Sequence, residues 1–134
     1  MKGTGMELET VMNAAREASQ KAYAPYSNFQ VGAAILTEDG ALHAGCNVEN
    51  ASYGLSMCAE RSAAFAMAFA NPQDRQISLV AIFSPNTSPC FPCGACRQVL
   101  REFGCKEVVV EEASALRNYQ FEEILPYAFG PEHL

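Results

Sequence analysis

The sequence has no long hydrophobic run and no excess of positive charge. No stretch approaches the roughly 18 consecutive apolar residues that a membrane-spanning helix needs. The first residues, Met1 to Gly5, are not followed by the apolar segment of a secretory signal peptide. These absences predict a cytosolic protein with no membrane partner, in which six cysteines suit metal binding or catalysis better than disulfides.

Basic residues are scarce as well. Lys and Arg number 9 against 15 Asp and Glu, which gives a formal net charge of -6. Nucleic-acid binders need the opposite sign, so a small-molecule ligand is favoured over nucleic acid. Neither a repeat nor a linker interrupts the 134 residues, and we expect one domain spanning 1–134. Apolar residues make up 49% of the chain, an excess that a partner subunit is expected to cover in part.

The hydrophobic periodicity and the turn residues predict an alternation of helices and strands. Two strands joined by the turn Glu38-Asp39-Gly40 precede strand-helix-strand units, which indicates an α/β sandwich with a mixed sheet and helices on both faces. The predicted helices are 6–23, 57–70, 94–103 and 121–125, and the predicted strands are 29–37, 41–48, 77–83 and 107–110.

Three cysteines have the arrangement of a catalytic zinc site, in which three protein ligands leave the fourth position open. Cys93 and Cys96 stand three apart at the start of a predicted helix, and Cys58 begins another. A helix N-terminus favours thiolate over thiol. If the two helix starts meet over the sheet, the three sulfurs converge on one Zn²⁺ per chain.

Glu60 lies two positions beyond Cys58, close to the metal but outside its ligand set. A carboxylate there can shuttle protons while zinc-activated hydroxide attacks the carbon that carries an amine. Zinc-dependent nucleobase deaminases combine a ligand, one intervening residue and a Glu with a later Pro-Cys-x-x-Cys, and this chain has that pattern at 58–60 and 92–96.

Other residues near this pattern leave alternatives open. Cys90 forms a second spaced pair with Cys93, so a structural four-cysteine site is the rival arrangement. Arg61 follows Glu60 and is interpreted as a donor to the cysteine sulfurs, against the alternative of an ordinary surface arginine. Cys46 and Cys105 are interpreted as small buried hydrophobes, and His43 as a surface residue.

At these positions the sequence resembles the cytidine deaminase family, specifically its small homotetrameric branch with three cysteine ligands. The resemblance implies a three-layer sandwich with a mixed five-stranded sheet. It also implies hydrolytic deamination of free cytidine and deoxycytidine to uridine and deoxyuridine plus ammonia, a step of pyrimidine salvage. The matching segments extend over nearly the whole chain: 23–27, 29–34, 47–54, 58–61 and 92–98.

The resemblance further implies how the substrate is held. Asn47 and Glu49 are expected to hydrogen-bond the ribose 3'-hydroxyl, because an amide and a carboxylate together suit a hydroxyl that both donates and accepts. Phe29 and Ala59 are expected to contact the nucleoside. The remaining substrate contacts, Tyr53 and Phe129, are expected at a neighbouring subunit's pocket, with Phe129 stacking on the base. Without the family, Phe29 and Phe129 fit core or interface packing equally well.

Three rival functions share parts of the pattern. A deaminase of another small molecule, such as blasticidin S, is disfavoured by the Asn47 and Glu49 pair. A polynucleotide editor is disfavoured by the acidic charge and the short chain. A non-catalytic zinc-binding module is distinguished by Glu60→Gln, which abolishes turnover only in an enzyme.

Overall fold

The computed structural model describes residues 5–134, with side chains from Glu7 onward. The elements are α1 Gly5–Ser19, β1 Gly32–Thr37, β2 Leu42–Cys46, α2 Ala59–Ala70, β3 Ile77–Phe83, α3 Gly94–Glu102, β4 Glu107–Glu112, β5 Ala115–Gln120 and α4 Phe121–Ile124, with short 3-10 turns at Tyr53–Leu55 and Pro131–His133. The five strands form one mixed sheet in the order β2-β1-β3-β4-β5, in which only β3 and β4 are parallel. The predicted fold class is confirmed.

Helix α1 covers one face of the sheet. Its apolar stripe buries Val11, Met12 and Ala15 completely or nearly so, and each large apolar side chain removed from water contributes roughly 1.5–3 kcal/mol. The helix approaches β1 so closely that a Cβ on Gly32 would lie 2.0 Å from the carbonyl oxygen of Ala15. Glycine is therefore required at this helix–sheet contact.

Helices α2 and α3 cover the opposite face, above the larger part of the core. Their buried residues pack on the strands in one cluster, which includes Ala59, Ala63, Ala64, Met67, Ile82, Leu100, Val108 and Val110. Helix α2 also lies against β2, where a Cβ on Gly45 would be 2.5 Å from the backbone nitrogen of Ala63. The N-termini of these two helices are therefore fixed by packing on the sheet.

The predicted element limits are wrong by two residues or more at five places, two of which are the end of β2, at Cys46 rather than 48, and the end of β4, at Glu112 rather than 110. Helix α1 ends at Ser19 rather than at residue 23, because Tyr23 forms backbone hydrogen bonds with the segment 47–49 instead. Strand β1 begins at Gly32 rather than at 29, and helix α2 begins after Cys58. Strand β3 matches its predicted limits of 77 and 83.

Strand β5 is missing from the predicted strands, although the five-stranded sheet implied by the resemblance includes it. It is a sheet edge with half-exposed and exposed residues, so the apolar signal of a buried strand is absent. The turn before β5 places Ala113 and Ser114 at positive φ (51° and 65°). The usual sequence signal for such a hairpin turn is Asn-Gly, which this chain does not have there. None of the helices within residues 5–134 is long and apolar enough to span a membrane.

Candidate active site

The N-termini of α2 and α3 position the three clustered cysteines. Cys58 and Cys93 are the N-cap residues of α2 and α3, both with extended backbone angles, and Cys96 lies in the first turn of α3, fully buried. Unpaired N–H groups and the helix dipole give both helix ends partial positive charge. This positive charge at both helix ends is the feature on which the sequence-based prediction of a thiolate site depends.

The sulfur atoms of Cys58, Cys93 and Cys96 lie within 4.8 Å of one another, and those of Cys58 and Cys93 are 3.9 Å apart. A tetrahedral zinc ion with bonds of about 2.3 Å to sulfur holds its sulfurs roughly 3.8 Å apart. The three residues therefore fit zinc, with a fourth position left for a non-protein ligand. Among the described residues, Cys90 is not part of this cluster, which disfavours the four-cysteine arrangement.

Hydrogen bonds to Cys58 prepare this end of the site for a cation. The Cys96 thiol and the Arg61 guanidinium donate to the Cys58 sulfur and lower the pKa of Cys58 to about 5. The Arg61 Nη2 atom is 3.4 Å from that sulfur. A guanidinium so placed offsets part of the negative charge of a three-thiolate site.

Glu60, the residue after Ala59 in the first turn of α2, is 4% exposed. Burial raises the pKa of this carboxyl to about 7, since removal from water disfavours the charged form. The carboxyl is therefore able both to accept and to donate a proton near neutral pH.

A cavity of about 340 Å³ contains Glu60 and extends away from the cysteine cluster. This volume lies within the usual range for small-molecule sites. The lining includes seven predicted site residues: Phe29, Asn47, Glu49, Cys58, Ala59, Glu60 and Cys93. It also includes Cys90 and five residues that the sequence did not single out: Ser27, Val31, Ser56, Met57 and Phe91. A larger cavity of about 600 Å³ elsewhere in residues 5–134 is lined by Cys105 but by none of the clustered cysteines.

Asn47 and Glu49 line this cavity together with Ser27 and Phe29, and we call this part the sugar end after the ribose contact predicted for Asn47 and Glu49. The Asn47 side chain accepts from the Val31 backbone N–H (2.9 Å) and donates to the Phe29 carbonyl (2.8 Å). The Val31 carbonyl also accepts from the Asn47 backbone N–H (3.2 Å), so Asn47 holds the segment just before β1 through both its backbone and its side chain. One N–H of the Asn47 amide remains for a ligand.

The Glu49 carboxylate receives three hydrogen bonds from the loop that precedes β1. Its Oε1 accepts from the backbone N–H groups of Tyr26 (2.9 Å) and Ser27 (3.2 Å), and its Oε2 accepts from the Ser27 hydroxyl. The bond from the Ser27 hydroxyl is the main cause that lowers the pKa of Glu49. Glu49 is therefore an anchored anion at the sugar end.

Tyr53 and Phe129 do not line the cavity of their own chain. The Tyr53 side chain is 74% exposed and lies 6.1 Å from the Tyr26 ring, and Phe129 is 57% exposed and stacks on His133. Within one chain they are surface aromatics, so their predicted contact with substrate requires a second chain.

Three further residues considered in the sequence analysis, Cys46, Cys105 and His43, lie outside the cavity. Cys105 is buried, as predicted, whereas Cys46 is only half-buried and bonds the Lys21 carbonyl. His43 is half-buried rather than a surface residue, and its Nε2 is enclosed. Its alternation in the edge strand β2 places it on the same face as Gly45, toward α2.

Comparison with known proteins agrees with this geometry. A family model for the cytidine and deoxycytidylate deaminase zinc-binding region matches residues 6–112. Cytidine deaminase from Halalkalibacterium halodurans is 40% identical over 132 residues, which cover 96% of this chain and 98% of that protein. The crystal structure of cytidine deaminase from Burkholderia pseudomallei has a TM-score of 0.81 and 46% identity, covering 90% of this chain and 98% of the other.

A second solved structure, cytidine deaminase from Mycobacterium tuberculosis, also has a TM-score of 0.81, at 38% identity and with 96% and 99% of the two chains covered. Together with the sulfur cluster, these likenesses define a zinc-dependent hydrolytic enzyme. The chain belongs to the cytidine deaminase family.

Proposed function

We propose that this protein hydrolyses the 4-amino group of free cytidine and deoxycytidine, giving uridine and deoxyuridine plus ammonia. The whole of 1–134 acts as one deaminase domain, and its expected location is the cytosol. The observation that carries the proposal is that one cavity joins a three-sulfur zinc site and a buried carboxylate to an anchored amide and carboxylate.

The cysteine end provides the chemistry. Cys58, Cys93 and Cys96 hold the metal, and zinc when bound supplies a hydroxide nucleophile at neutral pH. The Glu60 carboxylate takes up the proton released when water becomes the nucleophile and delivers it to the ring nitrogen N3. It then takes the proton of the hydroxyl added at C4 and passes it to the amine, which departs as ammonia. Its position two residues after a ligand, inside the cavity, allows these transfers without direct metal binding.

The sugar end provides recognition. The free N–H of Asn47 and the Glu49 carboxylate bind the 3'-hydroxyl of the sugar, while Phe29 and the backbone at Ala59 contact the nucleoside. Because Glu49 is already fixed by three donors, little side-chain entropy is lost when the sugar binds.

The direct test is the ultraviolet absorbance of cytidine during incubation with the purified protein. We expect the cytosine band to disappear with the wild type at about one zinc per chain. The Glu60→Gln variant should retain its zinc and fold but lose turnover by at least about 100-fold. Zinc-loaded wild type that leaves cytidine unchanged would refute the substrate assignment.

A homotetramer with shared active sites is the second part of the proposal. Tyr53 and Phe129 are exposed in a single chain, together with Leu55 at 69% and Phe69 at 89%, and partner subunits cover such side chains in the proposed assembly. In the assembly, Phe129 of one subunit stacks on the base held by another.

Mixing two impaired variants tests this assembly. If Phe129→Ala and Glu60→Gln chains are unfolded and reassembled together, about a quarter of the sites should combine an intact Glu60 with an intact Phe129 from a neighbour. Activity should recover to a corresponding level. An active monomer in sedimentation, or no recovery in proven mixed assemblies, would contradict shared sites.

A further inference from the structure

The Ser27 hydroxyl links two parts of the sugar end. It donates to the Oε2 atom of Glu49 and accepts from the backbone N–H of Phe29 at 3.0 Å. Ser27 also lines the cavity, two residues before the aromatic ring that faces the same space. One hydroxyl therefore connects the Glu49 carboxylate to the backbone of Phe29.

The hydrogen bonds of Glu49 show what the hydroxyl contributes. A carboxylate has about four acceptor positions, two on each oxygen. The N–H groups of Tyr26 and Ser27 both bond Oε1, and the Ser27 hydroxyl occupies one position of Oε2. The second position of Oε2 is the acceptor that remains for a ligand.

We infer that Ser27 is a positioning residue for sugar recognition, which fixes the orientation of the Glu49 carboxylate. The inference rests on the proposed function, in which Glu49 binds the 3'-hydroxyl. Without the Ser27 hydroxyl, Oε2 has no protein donor within residues 5–134, and the carboxylate plane is held only through Oε1. The sugar then binds a carboxylate that is free to turn.

The test compares Ser27→Ala with Ser27→Thr on two substrates, cytidine and 3'-deoxycytidine. Loss of a hydrogen bond that orients a charged group should raise the KM for cytidine about tenfold, with kcat changed less. The Thr variant keeps a hydroxyl and should restore most of the affinity. With 3'-deoxycytidine, which has no hydroxyl for Glu49, the Ala variant and the wild type should have similar kcat/KM values.

Two controls separate this role from a structural one. Ser88→Ala removes an exposed hydroxyl that bonds the Glu111 carbonyl outside the cavity, and it should leave both substrates unaffected. In a Glu49→Ala background, adding Ser27→Ala should cause no further rise in KM, because the two residues act through one contact. Because KM does not depend on the amount of folded enzyme, both comparisons still apply if Ser27→Ala lowers the folded fraction.

Equal losses on both substrates, or additive losses with Glu49→Ala, would overturn the inference, and so would an unchanged KM in Ser27→Ala. Different results would refute the proposed function. The wild type would not convert cytidine, or the Glu49→Gln variant would bind cytidine as well as the wild type does.

Discussion

The two ends of the active-site cavity are built on different principles. At the cysteine end, Cys58, Cys93 and Cys96 are carried by two helix N-termini that pack on the sheet. At the sugar end, Asn47 and Glu49 are held by hydrogen bonds to a loop 16 to 23 residues earlier in the chain.

This difference separates the tasks of the side chains. Backbone packing positions the cysteine end, so a ligand can be removed there without loss of the elements that carry it. The side chains of the sugar end organise the loop and also line the cavity. Substitutions at the cysteine end should therefore affect metal and chemistry, and those at the sugar end should affect affinity and stability together.

The largest effect is expected for Cys96→Ala, which removes the buried sulfur of the cluster. Zinc content should fall from about one per chain to near zero, and turnover should be lost with it, because two thiolates are too few for a stable catalytic site. Metal analysis and cytidine turnover measure both. Cys105→Ala is the matched control, a buried cysteine outside the cluster that should keep its zinc. Full zinc in Cys96→Ala would contradict the assignment.

A smaller effect is expected at the other end from Glu49→Gln. The amide cannot supply acceptors on both terminal atoms, so it cannot keep all three protein bonds and also bind a sugar hydroxyl. The value of kcat/KM should fall about 10- to 100-fold, mainly through KM, since hydrogen bonds to charged groups contribute about 1.5–3 kcal/mol. Steady-state kinetics measure this. Glu38→Gln, at an exposed pair with Lys106, should be neutral, and equal losses in both variants would refute the role of Glu49.

Asn47→Ala tests whether the sugar end also supports the fold. Removal of the amide leaves the Val31 N–H and the Phe29 carbonyl without their side-chain partner, which should lower the free energy of unfolding by about 1–3 kcal/mol. Denaturant titration measures this loss. Asn13→Ala is the control on the exposed side of α1, where no such loss is expected. Unchanged stability in Asn47→Ala would remove the distinction between the two ends.

The same contrast explains how far the sequence predicts the site. The Cys58, Glu60, Cys93 and Cys96 set is readable because its members lie within single turns of two helices, where spacing translates directly into proximity. The positions of Asn47 and Glu49 came from family resemblance alone. Their bonds join a side chain to a distant backbone, and no short spacing encodes such a contact. Ser27 was within a matching segment, but nothing in the sequence connects it to Glu49.

The fold shows the same limit. Strand β3 is a continuous apolar run and was predicted with its correct ends, whereas the half-exposed edge strand β5 gave no signal. Helix α1 continues in periodicity beyond Ser19, but the backbone pairing of Tyr23 with the segment 47–49 ends it earlier. Tertiary contacts decide these positions, and the sequence alone does not specify them.

The smallest effect on zinc content is expected for Cys90→Ala. This variant tests whether Cys90 belongs to the metal site at the cysteine end. Cys90 lines the cavity but is not in the three-sulfur cluster, and burial raises the pKa of its thiol to about 11. At neutral pH the thiol therefore keeps its proton, in contrast to Cys58, whose pKa is lowered. Zinc should stay at about one per chain in Cys90→Ala, as three protein ligands suffice for a catalytic site.

Metal content measured on Cys90→Ala and Cys96→Ala side by side distinguishes a three-ligand site from a four-cysteine one. Loss of zinc from both would mean a closed structural site, in which no coordination position remains for chemistry. Loss from Cys96→Ala alone means that the open position belongs to the substrate cavity, where the buried Glu60 is placed to exchange protons with it.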